Sequence, residues 1–446
     1  MLLAFRPVRV LAPEPHITSS AARLILVGIL AVYLACGLLV ALGTPPWEAN
    51  DEPDHLRNVE SLVAGEMYRI GPNGGLESHQ PPLYYAVLAT YQRALGFGVH
   101  DTRPAYATTG GPELGLWDHD TSSDGDAQRF VSIMRLSSLA MGAGVIVFAY
   151  LTTRLVVSSR ATALIAAATV ATLPKFVFLS SVVNSDNLVN LIAAAVVYLS
   201  VRSLTLDHPS SRQVRRFAIG LGLLVGLSLA TKLTAVAIVL PTLFAVARLA
   251  RRSGQFRVTI PLFALLCTIP SLPWIIFTAR EYDDPFAGRV SGEYFDAVIP
   301  GLMRKHVTAD VYFTELPTGL WRTFWYSSGW NQYFWSDVAY LPFWLLLVPA
   351  VVWGGRAMWR RHEHRDLLVA FALTIMAALL VFVYIGTITT GTQARVTFVG
   401  LVAVAVVASV GTQRLPVLAR CALPVVSLVG TLIAIRSDVI HLFVNR

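Results

Sequence analysis

Acidic side chains and a histidine are concentrated in one short stretch directly after the first apolar segment. Glu48, Asp51, Glu52 and Asp54 precede His55 within eight residues. Charged residues make up only 14% of the chain, and a carboxylate beside a lipid layer is costly unless it has a task. Carboxylates can take a proton from a hydroxyl group or ligate a hard cation. We therefore interpret this stretch as the candidate active site.

Two short amphipathic helices are the elements that must position these residues. Apolar residues recur at helical spacing over residues 53–64, and a similar pattern runs over residues 81–95. We expect both helices to lie at the membrane surface, with the polar pair His79 and Gln80 between them as candidate substrate-binding residues. Asp51 falls at the N-terminus of the first helix, where the helix dipole favours the ionised carboxylate. The alternative is that Asp51 only caps this helix.

The overall composition excludes an ordinary soluble protein. Hydrophobic residues occupy 55% of 446 positions, and the net charge is +8. Such a charge would suggest nucleic acid binding in a soluble chain. Here the basic residues fall in short clusters between apolar runs, which is typical of cytoplasmic loops. The sequence therefore predicts a polytopic membrane protein that does not bind nucleic acid. The three cysteines lie within apolar runs and indicate neither a disulfide nor a cysteine metal site.

Eleven apolar runs are long enough to cross a hydrocarbon layer about 30 Å thick. They cover residues 22–42, 130–153, 161–182, 187–203, 217–232, 233–250, 258–278, 338–357, 366–387, 394–412 and 417–436. The run at 81–96 is too short and too polar to be a twelfth. We therefore predict an all-α integral membrane bundle of about eleven transmembrane helices.

The distribution of arginines predicts the orientation of the chain in a plasma (inner) membrane. Arginine-rich short loops alternate with two long loops, here called the first loop (43–129) and the second loop (279–337). The positive-inside rule places the N-terminus in the cytoplasm and both long loops outside. We expect three parts: a catalytic membrane module (1–278) that includes the first loop, the aromatic-rich second loop, and a C-terminal transmembrane scaffold (338–446).

The order of these features resembles the GT-C superfamily of membrane glycosyltransferases, which use lipid-phosphate-linked sugars. The resemblance rests on one span followed by a large loop with an Asp-Glu pair, and on a second surface helix opened by His-x-Pro-Pro-Leu-Tyr. The chain resembles in particular bacterial relatives of the protein mannosyltransferases and of the aminoarabinose and galacturonic-acid transferases. The sequence Asp-Glu-Pro-Asp-His at 51–55 resembles a Pro-Asp-Glu-Pro-x-His signature of a bacterial membrane-protein family of unknown function. The likeness covers residues 20–250.

A weaker likeness occurs at residues 391–395, which read Gly-Thr-Gln-Ala-Arg. The family pattern has Arg-Tyr after Gly-x-Gln, so Ala394 and Val396 depart from it.

The resemblance implies a GT-C-like fold and an inverting glycosyl transfer from a polyprenyl-phosphate-linked sugar to an extracytoplasmic acceptor. Asp51 is then the expected base for the acceptor hydroxyl. Glu52 either shares a divalent cation with Asp51 or orients the acceptor, and carboxylate ligands favour Mg or Mn over Zn. His55, one helical turn after Asp51, can complete either site.

A lipid phosphate that leaves at the outer face needs fixed positive charge. Lys232 and Arg395 are our first candidates, because both fall near the outer ends of predicted spans. Arg135 is a further candidate, with a structural ion pair to an acid such as Asp186 as its alternative. Asp186 itself either contacts substrate or caps the next helix.

The second loop is rich in aromatic residues, of which Trp330 is the candidate for sugar stacking. An aromatic belt at the bilayer edge is the alternative for such a loop. A transporter, flippase or assembly factor for a lipid-linked glycan is the rival function. It would place charges along a path through the spans and often shows inverted repeats, and we find no such repeat in the sequence. A metalloprotease lacks its His-Glu-x-x-His spacing here.

Overall fold

A computed structural model describes residues 17–46, 49, 51–71, 74–100, 124–328 and 333–437. Within these ranges the chain is helical, and its only extended pairings are two isolated bridges, Met303 with Thr389 and Ser328 with Tyr333. Trp330, the predicted stacking residue, lies outside the described residues. The same holds for residues 101–123 of the first loop.

Eighteen α-helices are described. The first nine are α1 (Ser19–Gly43), α2 (Glu52–Val63), α3 (Leu83–Ala94), α4 (Asp124–Val156), α5 (Arg160–Thr172), α6 (Pro174–Leu179), α7 (Asp186–Leu204), α8 (Ser211–Leu229) and α9 (Val239–Arg252). The others are α10 (Phe256–Thr268), α11 (Leu272–Tyr282), α12 (Gly288–Val298), α13 (Leu316–Thr323), α14 (Leu341–Trp359), α15 (Arg365–Ile388), α16 (Leu401–Gly411), α17 (Val417–Arg420) and α18 (Ala422–Ile435).

Each of the eleven predicted spans coincides with helix, but they are not equally long. Eight helical segments in the described part of the chain are long and apolar enough to cross a membrane, and two apolar helices, 160–171 and 422–435, are shorter. A multi-pass helical membrane protein is therefore confirmed, whereas the count of eleven crossings remains a prediction.

Interruptions in the long helices determine the positions of several polar side chains. Pro174 separates α5 from α6, because proline removes a backbone donor and clashes with the preceding turn. Short 3₁₀ segments, Leu233–Ile238 and Ala394–Gly400, precede α9 and α16. Lys232 directly precedes the first of these segments, and Arg395 lies in the second. Both cations thus stand at the starting ends of their helices.

The two predicted surface helices are present as α2 and α3, and α2 is more enclosed than its amphipathic pattern suggests. Its apolar residues Leu56 and Val59 are fully buried, and so are the polar residues Glu52, His55 and Asn58. The polar side of α2 therefore faces other parts of the protein rather than water. Helix α3 packs against α2 and α4.

The C-terminal helices α14 and α16 approach each other closely through two glycines. A Cβ atom at Gly354 would lie 1.9 Å from the Val407 carbonyl oxygen, and one at Gly411 would lie 1.9 Å from the Ala350 carbonyl oxygen. Small residues at helix contacts in membranes allow backbones to approach in this way.

We predict that Gly354→Ala lowers the unfolding free energy by about 1–3 kcal/mol, because the added methyl forces two backbones apart. Gly355→Ala is the matched control, since its Cβ would only meet Leu368 at 3.8 Å. Chemical unfolding of both variants in mixed micelles measures the difference. Equal stability of the two variants would contradict the close contact between α14 and α16.

Candidate active site

A fully buried ion pair anchors the acidic stretch to the membrane helices. Arg135 on α4 donates from Nε to Glu52 Oε1 at 2.9 Å and from Nη2 to Glu52 Oε2 at 2.5 Å. Both side chains are inaccessible to solvent. A bidentate arginine-carboxylate pair fixes direction as well as distance, so the first residue of α2 is held in one orientation.

The guanidinium group of Arg135 also binds backbone carbonyl groups at the C-terminal end of α1 and just after it. Arg135 also donates to the carbonyl oxygens of Ala41, Thr44 and Pro45, at 2.7, 2.6 and 3.1 Å. Glu52 in turn accepts the backbone N–H of Val183, at 2.9 Å. One cation and one carboxylate therefore join α1, α2, α4 and the turn before α7, with the donors of the arginine satisfied by protein groups.

This arrangement differs from two expectations. The partner of Arg135 is Glu52 rather than Asp186. Both Glu52 oxygens are engaged by Arg135, so Glu52 stands apart from the group of residues that could hold a cation. The reason is the length of the arginine side chain, which reaches from α4 across to the start of α2, a contact between residues 83 positions apart.

Asp51, immediately before this anchor, has a left-handed backbone with φ of 63°. Only a few non-glycine residues adopt this conformation, with Asp and Asn among the most tolerant. Asp51 occupies the N-cap position of α2 but makes no side-chain capping hydrogen bond. Its carboxylate instead pairs with the Nη2 of Arg395. The turn thus directs Asp51 away from its helix and toward the later part of the chain.

A second acid, Asp186, joins both predicted phosphate-binding cations. Lys232 Nζ lies 2.7 Å from Asp186 Oδ1, and Arg395 Nε lies 3.7 Å from Asp186 Oδ2. Asp186 is the first residue of α7 and is almost fully buried. The four residues Asp51, Asp186, Lys232 and Arg395 consequently form one continuous network.

His55 lies on the other side of Asp51, deep within the protein. The Tyr85 hydroxyl donates to the Glu77 carbonyl oxygen at 3.2 Å, so it accepts the proton of His55 Nδ1, at 3.0 Å. Burial lowers the pKa of His55 to about 4, against the opposing charges of Glu77 and Asp51. The imidazole is therefore neutral at pH 7, with its Nε2 lone pair unprotonated.

That lone pair has no hydrogen-bond partner although it is buried. It faces two carboxylates, because ligand atoms of Asp51, His55 and Glu77 all lie within 4.8 Å of one another. Burial alone would raise the pKa of Glu77, but nearby positive charges, among them Lys232 and Arg395, hold it below its usual range. A bare imidazole nitrogen beside two ionised carboxylates matches the donor set of a divalent cation. These three residues could hold such a metal, in place of the predicted Asp51 and Glu52.

The predicted pair His79 and Gln80 extends this group. Gln80 Nε2 donates to Glu77 Oε2 at 3.2 Å and contacts His79 Nε2 at 2.8 Å. Tyr68 donates its hydroxyl to the Gln80 carbonyl oxygen at 2.7 Å. Gln80 is buried, so it orients the Glu77 carboxylate rather than facing an open surface.

Asp54 holds the segment that carries Glu77. Burial raises the pKa of Asp54 to about 7, because Arg57, 3.6 Å away, only partly offsets the loss of water. A Cβ atom at Gly75 would lie 2.3 Å from Asp54 Oδ1, so only glycine permits this close approach. The turn before Glu77 therefore packs directly on the start of α2.

Glu77 and Tyr85 are the site residues that sequence reasoning missed. The available signal was position, since Glu77 stands two residues before His79 and Tyr85 follows the Pro-Pro pair. Neither spacing reveals that the 3₁₀ turn Leu76–His79 folds back over His55.

Comparisons with known proteins agree with this architecture. Residues 106–283 match the family model for dolichyl-phosphate-mannose-protein mannosyltransferase, which is less than half of the chain. That range contains Arg135, Asp186 and Lys232 but neither Asp51 nor Arg395. A sequence search of curated proteins finds no match.

Solved structures with a similar fold include ArnT from Cupriavidus metallidurans. The structure bound to undecaprenyl phosphate is 16% identical with a TM-score of 0.57, and the match covers 87% of this chain and 60% of the ArnT chain. The apo structure is 16% identical with a TM-score of 0.56, and its match covers 89% of this chain and 61% of the ArnT chain. The Saccharomyces cerevisiae Pmt1–Pmt2 complex bound to the sugar donor is also 16% identical, with a TM-score of 0.43, and its match covers 64% of this chain and 37% of that chain.

The chain thus has an ArnT-like GT-C fold, as its motifs predicted. It spans about three fifths of the length of the ArnT structures.

We predict that Arg135→Lys lowers the unfolding free energy by about 3–5 kcal/mol, because lysine cannot replace the guanidinium fork and leaves buried acceptors unpaired. Arg129→Lys is the matched control on the same helix, since Arg129 is exposed. Denaturant unfolding in micelles measures both. If the unfolding free energies of the two variants differ by less than about 0.5 kcal/mol, the ion pair between Arg135 and Glu52 is not needed for stability.

Proposed function

We propose that the protein is an inverting glycosyltransferase that uses a polyprenyl-phosphate-linked sugar and acts at the extracytoplasmic face of the plasma membrane. The observation that carries this proposal is the single network joining Asp51 of the first loop to Lys232 and Arg395. A candidate base thus stands beside two cations suited to a phosphate. The undecaprenyl phosphate bound to ArnT supports a lipid phosphate as the donor class.

In the proposed reaction, the carboxylate of Asp51 accepts the proton of an acceptor hydroxyl. The hydroxyl oxygen forms a bond to C1 of the sugar, and the bond from C1 to the phosphate oxygen breaks. The electron pair stays on the polyprenyl phosphate, which gains negative charge as it leaves. Lys232 and Arg395 stabilise that charge, since fixed cations in a site shielded from water act strongly on developing charge.

The pairing of Arg395 with Asp51 gives donor binding a second effect. A phosphate that binds Arg395 competes with Asp51 for the same guanidinium. Binding of the donor therefore releases the base at the moment when an electrophile is present. Without donor, the ion pair keeps Asp51 occupied.

The charge of the site fits a phosphodiester donor together with a divalent cation. Asp51, Glu77 and Asp186 carry three negative charges, and Lys232 and Arg395 carry two positive charges, which leaves one net negative charge. A divalent cation held by Asp51, His55 and Glu77 would reverse the sign, and one phosphodiester would then bring the site to neutrality. When bound, such a cation would supply additional positive charge for the phosphate. With an imidazole among its ligands, Mn²⁺ fits this donor set better than Mg²⁺.

We predict that Asp51→Asn abolishes glycosyl transfer, with a fall of about 10²–10⁴-fold, without loss of folding. Asparagine tolerates the left-handed backbone of this position, so only the base is removed. Transfer of radiolabelled sugar from a panel of polyprenyl-phosphate sugars to membrane glycans measures activity. Binding of undecaprenyl phosphate should strengthen in the same variant, because Arg395 loses its competitor.

Glu66→Gln is the control for this experiment. Glu66 lies in the same loop but is exposed, and its neutralisation should leave transfer unchanged. Full activity of Asp51→Asn would remove Asp51 as the base. Absence of transfer by the natural sequence from every donor in the panel would count against the transferase proposal itself.

We predict that the purified protein binds one Mn²⁺ ion and that His55→Gln weakens this binding by about 10–100-fold. Electron paramagnetic resonance of free Mn²⁺ measures the affinity without any activity assay. His306→Gln is the control, because His306 is exposed and lies outside the three-residue group. Absence of saturable Mn²⁺ binding in the natural sequence would overturn the metal assignment and leave the assignment of Asp51 standing.

A further inference from the structure

A separate polar cavity of about 160 Å³ lies between the second loop and the turn that leads to Arg395. It is lined by residues from several segments of the chain, among them Arg304, Glu315, Thr318, Arg322, Phe334 and Thr392. None of these residues belongs to the ion-pair network described above.

The walls of the cavity are held by backbone hydrogen bonds. Arg304 N–H donates to the Ile388 carbonyl oxygen at 2.8 Å, and Thr390 N–H donates to that of Leu302 at 2.9 Å. On the opposite side, Val311–Glu315 forms a π-helical turn that continues into α13. Such turns are rare and occur frequently at functional sites. The cavity is therefore bounded by the hydrogen-bonded segments 302–304 and 388–390 and by the π-helical turn that precedes α13.

The charges around the cavity cancel. Arg304 pairs with Glu315, and Arg322 contacts Asp337 through two hydrogen bonds of 2.6 and 2.8 Å. An anionic ligand would compete with Glu315 and Asp337 for guanidinium groups that are already paired, and an apolar chain would remove water from these partly exposed ion pairs. The balance of charge thus favours a ligand that is neutral and polar.

The remaining groups suit the two sides of a sugar ring. The guanidinium group of Arg322 lies over the Phe334 ring, 5.5 Å from its centre, and the part of Phe334 that stays exposed offers apolar surface at the cavity. The Thr318 hydroxyl makes no hydrogen bond within the described residues, so it is free to bond a ligand hydroxyl. Arginine forks and carboxylates offer paired donors and acceptors for neighbouring hydroxyls. A cavity of this size admits one ring but not a lipid-linked donor.

The cavity is connected to the active site through one hydrogen bond. The backbone N–H of Ala394 donates to Thr323 Oγ1 at 2.7 Å, and Thr323 lines the cavity. Ala394 directly precedes Arg395, whose guanidinium group pairs with Asp51. A ligand in the cavity therefore stands against the same turn that places Arg395.

We propose that this cavity is a subsite for one neutral sugar ring of a glycan acceptor. The role of this cavity in acceptor binding rests on the proposed transferase function, whereas carbohydrate binding by the cavity does not. The subsite selects acceptors by shape and hydroxyl pattern, and it excludes uronic acids by charge.

Saturation-transfer NMR on the full chain in nanodiscs, with methyl glucoside, methyl galactoside, methyl mannoside and methyl glucuronoside as probes, tests the proposal. At least one neutral glycoside should bind, and more tightly than the glucuronoside. Thr318→Val and Phe334→Ala should each weaken that binding about five- to tenfold. Thr318→Ser should retain it, because the hydroxyl remains.

Matched controls are Thr308→Val and Phe313→Ala, which change exposed residues of the same loop outside the cavity. These variants should bind the glycoside like the natural sequence. Equal binding by all variants, no binding of any neutral glycoside, or preference for the glucuronoside would overturn the subsite. Binding that maps to the cavity in a protein that transfers no sugar would instead overturn the proposed transferase function and leave the carbohydrate site.

Discussion

The buried pair of Glu52 and Arg135 is the interaction on which the site depends. Two opposite charges without access to water are stable only when every donor and acceptor is satisfied. Here three backbone carbonyl oxygens and one backbone N–H complete the pair. The ion pair also determines the path of the backbone. The chain turns sharply at Asp51, where Glu52 enters the protein interior, and this turn directs the Asp51 carboxylate toward Arg395.

The starting ends of helices explain why so many charges gather at one place. Asp51 precedes α2, Asp186 begins α7, Lys232 precedes a 3₁₀ segment and Arg395 lies in another. Exposed backbone N–H groups at such ends favour anions. Acids are therefore stabilised there, and a phosphate would find the same favourable field. The cations then neutralise the acids and leave a network that a ligand can rearrange.

Neighbouring ionisable groups serve different roles because their surroundings differ. His55 is neutral because it is buried, and the Tyr85 hydroxyl fixes its tautomer. Asp54, one residue earlier, has a raised pKa and packs against Gly75. Glu52 is wholly engaged by an arginine, whereas Asp51 shares one with Asp186. Four of the five positions from 51 to 55 thus provide a candidate metal ligand, a packing group, an anchor and a candidate base.

The sequence alone determined the class of fold and most members of the site. Apolar runs must be helices in a membrane, and charges in such a chain are rare enough that Asp51, Asp186, Lys232 and Arg395 stood out. Only the tertiary structure decided their pairing. It assigned Arg135 to Glu52, brought Glu77 and Tyr85 to His55, and placed a polar cavity beside the turn of Arg395. The physical reason is that hydrophobic spacing specifies which face of a helix is buried, whereas ion pairs between residues far apart in the chain depend on how the helices pack and where they break.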